Sequence, residues 1–117
     1  MFELVNRSLI IVKPRKPFLD WANSIDDDHN DFTKKEMEDD CAVFLMQDYE
    51  EDIEKEEILQ KHYRTLFEAE LGGWCIDESM WPKNRGYETF KQWFKVEFHS
   101  MIFDLEDDEY IVEEAEV

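Results

Sequence analysis

The sequence predicts a two-layer α+β domain, in which a small, mainly antiparallel sheet of about three strands is covered by one long helix and two or three short ones. Three observations predict it. Residues 8–13 and 41–47 are apolar runs of strand length, with residues 96–105 as a third strand candidate. Residues 51–71 carry apolar side chains at helical spacing, and 117 residues are enough for one compact core.

The first strand is predicted over residues 8–13, which read Ser-Leu-Ile-Ile-Val-Lys and are stopped by Pro14 and Pro17. Because apolar residues occupy consecutive positions, this strand is expected at the centre of the sheet or buried on both faces. Pro17 can open a helix, and a short amphipathic helix is predicted over residues 18–24.

The other elements follow from the same patterns. Thr33 and Glu36 form a capping-box pattern that predicts a short helix toward residue 40. Residues 41–47 are the second strand, and residues 87–94 are a short helix. Residues 96–105 satisfy a helical period as well, but a strand is preferred because a sheet of only two strands is marginally stable.

The longest helix is predicted over residues 51–71. Its apolar stripe consists of Ile58, Leu59, His62, Tyr63, Leu66, Phe67 and Leu71. Glu57 and Lys61, and likewise Arg64 and Glu68, are spaced as i, i+4 ion pairs. Two glycines at positions 72–73 are expected to end the helix.

The chain is predicted to form a single domain over residues 1–105, followed by an acidic tail at 106–117. The tail holds seven acids and no base, so most of it is expected to fray in solvent. Residues 110–112, Tyr-Ile-Val, are the one part of the tail that could pair with a sheet edge.

The charge excludes two classes of partner. With 31 acids and 13 bases the formal net charge is −18, which leaves too little basic surface to bind nucleic acid or anionic lipid directly. The charge is uneven, because residues 1–25 carry four bases and two acids. Lys13, Arg15 and Lys16 form a basic cluster that suits an anion or the chain's own acidic segments, and internal pairing is the favoured interpretation.

The sequence indicates a cytoplasmic protein. The N-terminus has an acid at position 3 and lacks the long apolar core of a secretory signal, and no apolar run approaches the length of a membrane span. Cys41 and Cys75 make no disulfide framework and lie in apolar stretches, so both are expected as reduced, buried thiols.

Metal and cofactor signals are weak. Asp26, Asp28 and Asn30 match the first three ligand positions of a calcium loop, but Asp31 stands where that loop needs glycine and Met37 where it needs glutamate. An acidic surface loop without an ion explains the run. No zinc-ligand spacing is present, and a chain with three glycines offers no phosphate-binding loop, so no cofactor is expected.

The best acid/base candidate is the pair Glu97 and His99, which share one face of an alternating strand over residues 96–105. Any acidic chain yields such pairs by chance, which makes the signal weak. Cys41 and Cys75 are poor nucleophiles, since neighbouring carboxylates disfavour the thiolate.

The aromatic content suggests a contact surface. Most of the four Trp, four Tyr and nine Phe are expected to fill the core. Trp74, Trp81 and Trp93 with their neighbours exceed what a simple two-layer core obviously needs, and Trp is common at interface centres. The segment 72–82 therefore presents Trp74, Asp77, Glu78 and Trp81 as candidate interaction residues. Packing of this loop into the core is the favoured alternative.

Three runs carry a family resemblance: residues 12–21 (VKPRKPFLDW), 73–82 (GWCIDESMWP) and 93–99 (WFKVEFH). Together they resemble a family of short acidic bacterial proteins of unknown function, and the likeness covers most of the chain. The resemblance implies a bacterial cytoplasmic source and no particular activity.

The leading functional hypothesis is a non-enzymatic interaction module that binds a basic protein surface, with acids steering the encounter and apolar residues supplying affinity. One form of it is a nucleic-acid mimic that occupies a basic cleft. The first alternative is a small metal-dependent or acid/base enzyme that uses His99 and neighbouring carboxylates. The second is a homo-oligomeric structural subunit, so that both monomer and homodimer stay open.

Overall fold

A computed structural model describes residues 3–25, 39 and 41–114 of the chain. In chain order the elements are β1 (Glu3–Leu4), β2 (Ser8–Pro14), α1 (Lys16–Ile25), β3 (Val43–Met46), α2 (Ile53–Trp74), a 3₁₀ turn (Glu78–Met80), α3 (Tyr87–Trp93), β4 (Phe94–His99) and β5 (Phe103–Asp104). The predicted α+β class is confirmed. The helix predicted from Thr33 and Glu36 lies outside the described residues.

The main sheet has the order β3-β2-β4, and both pairings are antiparallel. The central position predicted for the first strand is confirmed, because β2 pairs with β3 from Ser8 to Ile11 and with β4 from Leu9 to Pro14. Cross-strand partners share one face of a sheet, so this register fixes which side chains face the helices.

The inner face of the sheet packs against the three helices. Alternate residues of β2 are buried on this face: Ser8, Ile10, Val12 and Pro14. Phe67 of α2 lies at the centre of the core, with ring centroids 5.5–5.8 Å from those of Phe90, Trp93 and Phe94. Most of the aromatic residues therefore join the helices to the sheet.

Helix α2 ends later in the chain than predicted. Five of the seven stripe residues are buried, while His62 and Tyr63 are half-buried. The expectation that residues 72–73 end the helix is wrong, because α2 continues through both glycines to Trp74 and the backbone N–H of Cys75 still donates to Leu71. The indole of Trp74 donates to the carbonyl oxygen of Ala22 at 3.1 Å and holds this last turn against α1.

The third strand is shorter than the predicted run 96–105. β4 begins at Phe94 and ends at His99, and the chain then turns away so that β5 pairs with β1 as a separate two-stranded ribbon. The predicted shared face of Glu97, His99, Met101 and Phe103 is therefore broken after His99. Residues 105–114 are exposed and without regular structure, so the suggested strand pairing of residues 110–112 does not form.

Candidate functional site

The outer face of the sheet carries an aliphatic patch. Four side chains point to this face by register: Leu9 and Ile11 of β2, and Leu45 and Val43 opposite them on β3. None of the four belongs to the hydrophobic core or to the residues packed against it. Val43 and Leu45 are 53% and 56% exposed. A solvated sheet face is normally polar, so this aliphatic patch is an unusual feature of the fold.

The β4 side of the same face is polar. Lys13 Nζ lies 2.8 Å from Glu97 Oε1, and His99 Nε2 lies 3.9 Å from Glu97 Oε2. The hydrogen bond from Lys13 holds the pKa of Glu97 below its usual value. The structure thus brings the predicted acid/base pair together on an open sheet face, with His99 53% exposed and Glu97 engaged by a lysine. A carboxylate held ionised in this way is poorly suited to accept a proton.

Carboxylates lie at one end of the sheet. The β1–β5 ribbon leaves the sheet at the end where Ser8 and His99 lie, and a surface cavity of about 410 Å³ there is lined by Tyr110 and six acids: Glu3, Asp104, Glu106, Asp107, Asp108 and Glu109. At the same end of the sheet, Asp48 follows β3 and accepts a 2.8 Å hydrogen bond from the hydroxyl of Ser8, a residue buried on the inner face. A basic ligand approaching the aliphatic patch would therefore meet a negative field.

The four candidate interaction residues lie at the end of α2 and in the loop after it, with Trp74 as the last residue of the helix. Trp81 is 7% exposed and its indole donates a 2.7 Å hydrogen bond to the carbonyl oxygen of Cys75. Trp74 is half-buried against α1, while Asp77 and Glu78 are exposed. The two tryptophans thus fix the loop, and the two acids remain accessible to a partner.

Asp77 caps the 3₁₀ turn. Its carboxylate accepts hydrogen bonds from the Ser79 hydroxyl at 2.7 Å and from the Ser79 backbone N–H at 3.0 Å. These hydrogen bonds lower the pKa of Asp77. Ile76, next to it in sequence, is 91% exposed. The loop therefore displays one ordered aliphatic side chain beside an acid.

The basic cluster near α1 is divided among separate contacts. Lys13 pairs with Glu97 as described, and Lys16 Nζ lies 2.8 Å from Asp20 Oδ2. The backbone N–H of Arg15 donates to Trp93 and its exposed guanidinium forms no ion pair with any described residue. Two of the three bases thus neutralise carboxylates of the same chain.

Glu70 of α2 is a largely buried carboxyl group. Burial raises its pKa to about 7, and its Oε1 accepts no hydrogen bond from any described residue. No sequence pattern distinguishes Glu70 from the many other acids of the helix. It is an internal proton-binding site and lies outside the predicted interaction residues.

The remaining candidates concern metals and thiols. Asp26, Asp28 and Asn30 lie outside the described residues. Within the part of the chain that the structure describes, no three His, Cys, Asp or Glu side chains are grouped so as to hold a metal ion. Cys41 and Cys75 are not joined in a disulfide, and both are half-buried where full burial is expected from the sequence.

The aliphatic patch was not predicted from the sequence. The available signal was the lack of alternation in two strands, since residues 9–12 and 42–46 are apolar at every position. Such a pattern predicts burial on both faces or a central position. Only the register shows that Val43 and Leu45 of an edge strand lie on the face opposite the buried residues of β2.

No family model matches the chain, and no curated protein or solved structure is significantly similar to it. These comparisons lend no support to the resemblance to short acidic bacterial proteins. Among the described residues, no helix is both long and apolar enough to cross a membrane.

Proposed function

We propose that this protein is a non-enzymatic interaction module and that the aliphatic patch on the outer sheet face binds a basic partner protein. The observation that carries the proposal is the uncovered pair Val43 and Leu45, next to Leu9 and Ile11 on the central strand. Exposed apolar groups of this kind commonly mark binding surfaces, because burying them against a partner gains free energy.

Charge complementarity selects the partner. The chain carries a net charge of −18, and carboxylates of the ribbon and the segment after it lie at the end of the sheet beside the aliphatic patch. Acids around an apolar centre accelerate association with a basic surface and disfavour acidic competitors. The partner is therefore expected to present apolar side chains within a rim of Lys and Arg, in the bacterial cytoplasm that the sequence suggests.

The test uses matched aspartate variants. Immobilised wild-type protein, Leu45→Asp and Ile76→Asp are incubated with lysate, and the captured proteins are identified and purified. Calorimetry then measures the affinity of the purified partner for each of the three proteins. Ile76 is an exposed aliphatic residue on the loop after α2, so it controls for added charge on exposed apolar surface. We expect a partner with a high isoelectric point whose affinity falls at least about tenfold in Leu45→Asp and less than about twofold in Ile76→Asp.

Two results would contradict the proposal. Equal affinity of wild type and Leu45→Asp would show that the patch is not the binding surface. Affinity unchanged between 0.05 and 0.5 M salt, concentrations chosen to span strong screening, would remove the role given to the carboxylates.

A second copy of the chain is the competing occupant of the patch. Self-association brings two chains of −18 together, which opposes dimer formation unless salt screens the repulsion. Light scattering at low and high salt distinguishes a partner-binding monomer from a homodimer. We expect a monomer at both salt concentrations, whereas a dimer that Leu45→Asp dissociates would make the patch a homodimer interface.

The enzyme hypothesis gains no specific support, because His99 lies on an open surface and Glu97 is engaged by Lys13. The nucleic-acid mimic stays one form of the proposed module, in which the basic partner would itself bind nucleic acid. Competition for the captured partner by duplex DNA would distinguish this form from a partner unrelated to nucleic acid.

A further inference from the structure

A basic cleft lies between α2 and the loop that leads into α3. It has a volume of about 270 Å³ and is lined by Arg64, Glu68, Lys83, Asn84, Arg85 and Gly86. Three bases and one acid give this lining a formal charge of +2, in a chain whose net charge is −18. The cleft is therefore a local reversal of the protein's charge.

The cations of the cleft are not neutralised by the chain's own carboxylates. Four other lysines form ion pairs at 2.8–3.3 Å: Lys13, Lys16, Lys55 and Lys91. The side chains of Arg64 and Lys83, by contrast, make no ion pair or hydrogen bond with any described residue. The ion pair expected between Arg64 and Glu68 from their spacing does not form, although both side chains line the cleft.

Arg85 is held in place by its own loop. Its Nη1 donates a 2.8 Å hydrogen bond to the carbonyl oxygen of Pro82, and its guanidinium lies 5.6 Å from the ring centroid of Trp81. Asn84 Oδ1 accepts from the backbone N–H of Gly86, which closes the turn and leaves the Asn84 amide NH₂ as a donor. The loop thus presents fixed donors to the space beside Arg64.

We propose that this cleft binds a phosphate group, free or on a small phosphorylated molecule. Guanidinium groups match phosphate oxygens in pairs, and Lys83 and the Asn84 amide supply further donors. The Glu68 carboxylate also lines the cleft. It can accept a hydrogen bond from a hydroxyl group next to the phosphate, whereas it would repel a second anion. The site is independent of the aliphatic patch on the outer sheet face.

The negative charge of the rest of the chain limits the affinity. Long-range repulsion of an anion opposes the local attraction of three bases, so binding is expected in the millimolar range. The proposal is therefore tested by a method that reports weak binding residue by residue. Amide chemical shifts in a ¹⁵N-labelled sample meet this need.

The probe is inorganic phosphate, titrated at constant ionic strength against sodium chloride. We expect saturable shifts at residues 83–86 and at residues 64 and 68. Arg64→Gln and Lys83→Gln each weaken binding at least about threefold, while Lys95→Gln, an exposed base on β4, changes it less than about 1.5-fold. Arg64 and Lys83 are exposed, so these variants leave the core intact.

A second titration with glycerol 3-phosphate identifies the source of the phosphate. Tighter binding than inorganic phosphate, lost on Glu68→Gln, assigns the cleft to a phosphorylated hydroxyl compound; equal binding assigns it to free phosphate. Three results would overturn the proposal. The shifts do not saturate, acetate produces them with equal affinity, or Lys95→Gln weakens binding as much as Lys83→Gln does. None of these outcomes depends on the aliphatic patch.

Discussion

The indole Nε1 of Trp81 donates a 2.7 Å hydrogen bond to the carbonyl oxygen of Cys75, six residues earlier in the chain. A second indole, that of Trp21 in α1, donates at 2.9 Å to the carbonyl oxygen of Met80 in the same loop. The loop after α2 is therefore closed on itself and tied to α1. Its tryptophans supply rigidity, and its exposed side chains include Ile76, Asp77, Glu78 and Met80.

Trp81→Phe tests this structural role. The variant keeps an aromatic ring but loses the hydrogen bond and leaves a partly buried carbonyl oxygen without its donor, so we expect a loss of about 1–2 kcal/mol in the free energy of unfolding. Urea denaturation followed by circular dichroism measures it. An unchanged free energy of unfolding would show that the bond does not stabilise the loop.

Glu70→Gln tests the buried carboxyl group. The pKa of Glu70 rises from an unfolded value of 4.5 to about 7 in the folded protein, because burial penalises its charged form. Its stabilising contribution is complete below pH 4.5 and is lost as the pH rises through 7. We therefore expect wild type to lose up to about 3 kcal/mol between pH 4.5 and 8 through this group.

The glutamine variant removes that dependence, so its free energy of unfolding should exceed that of wild type at pH 8 and approach it at pH 4.5. Glu57→Gln, on an exposed position of the same helix, is the control for loss of one negative charge. Equal pH profiles for wild type and Glu70→Gln would contradict the assigned burial of the carboxyl group.

Phe67→Leu tests the aromatic centre of the core. Phe67 is fully buried and contacts three other rings, so the smaller side chain leaves space that the surrounding rings fill only partly. We expect a loss of about 1–3 kcal/mol and a weaker near-ultraviolet circular dichroism signal. A loss below about 0.5 kcal/mol would mean that these rings pack loosely.

Leu45→Asp separates folding from binding. Leu45 is exposed and belongs to no packed cluster, so its replacement should change the free energy of unfolding by less than about 1 kcal/mol. Ile10→Ala on the opposite face of the sheet is the comparison, with an expected loss of about 2–4 kcal/mol because Ile10 is buried. A large loss in Leu45→Asp would indicate that the outer face is packed in the folded protein.

The sequence predicted the elements well where one pattern dominated. The apolar run of β2 and the stripe of α2 fixed a central strand and a covering helix, since burial determines both. The predictions from sequence were wrong where tertiary contacts determine the ends of elements. Helix α2 passes through Gly72 and Gly73, and Trp74 at its end donates a hydrogen bond to Ala22. Strand β4 stops at His99, after which the chain turns to pair with β1.

The candidate sites show the same division. The proximity of Glu97 and His99 followed from alternation along one strand, and the structure brings them together. The aliphatic patch and the basic cleft each combine residues that are distant in the sequence, such as Leu9 with Leu45 and Arg64 with Lys83. Composition carries no information on such pairings, so neither site was predictable from local patterns.

Binding of a basic protein to the outer sheet face is tested by the affinity of the captured partner for wild type, Leu45→Asp and Ile76→Asp at low and high salt. We expect at least about tenfold weaker binding for Leu45→Asp alone, and weaker binding of wild type as salt rises. Indistinguishable affinities for all three proteins, or binding that salt leaves unchanged, would contradict it.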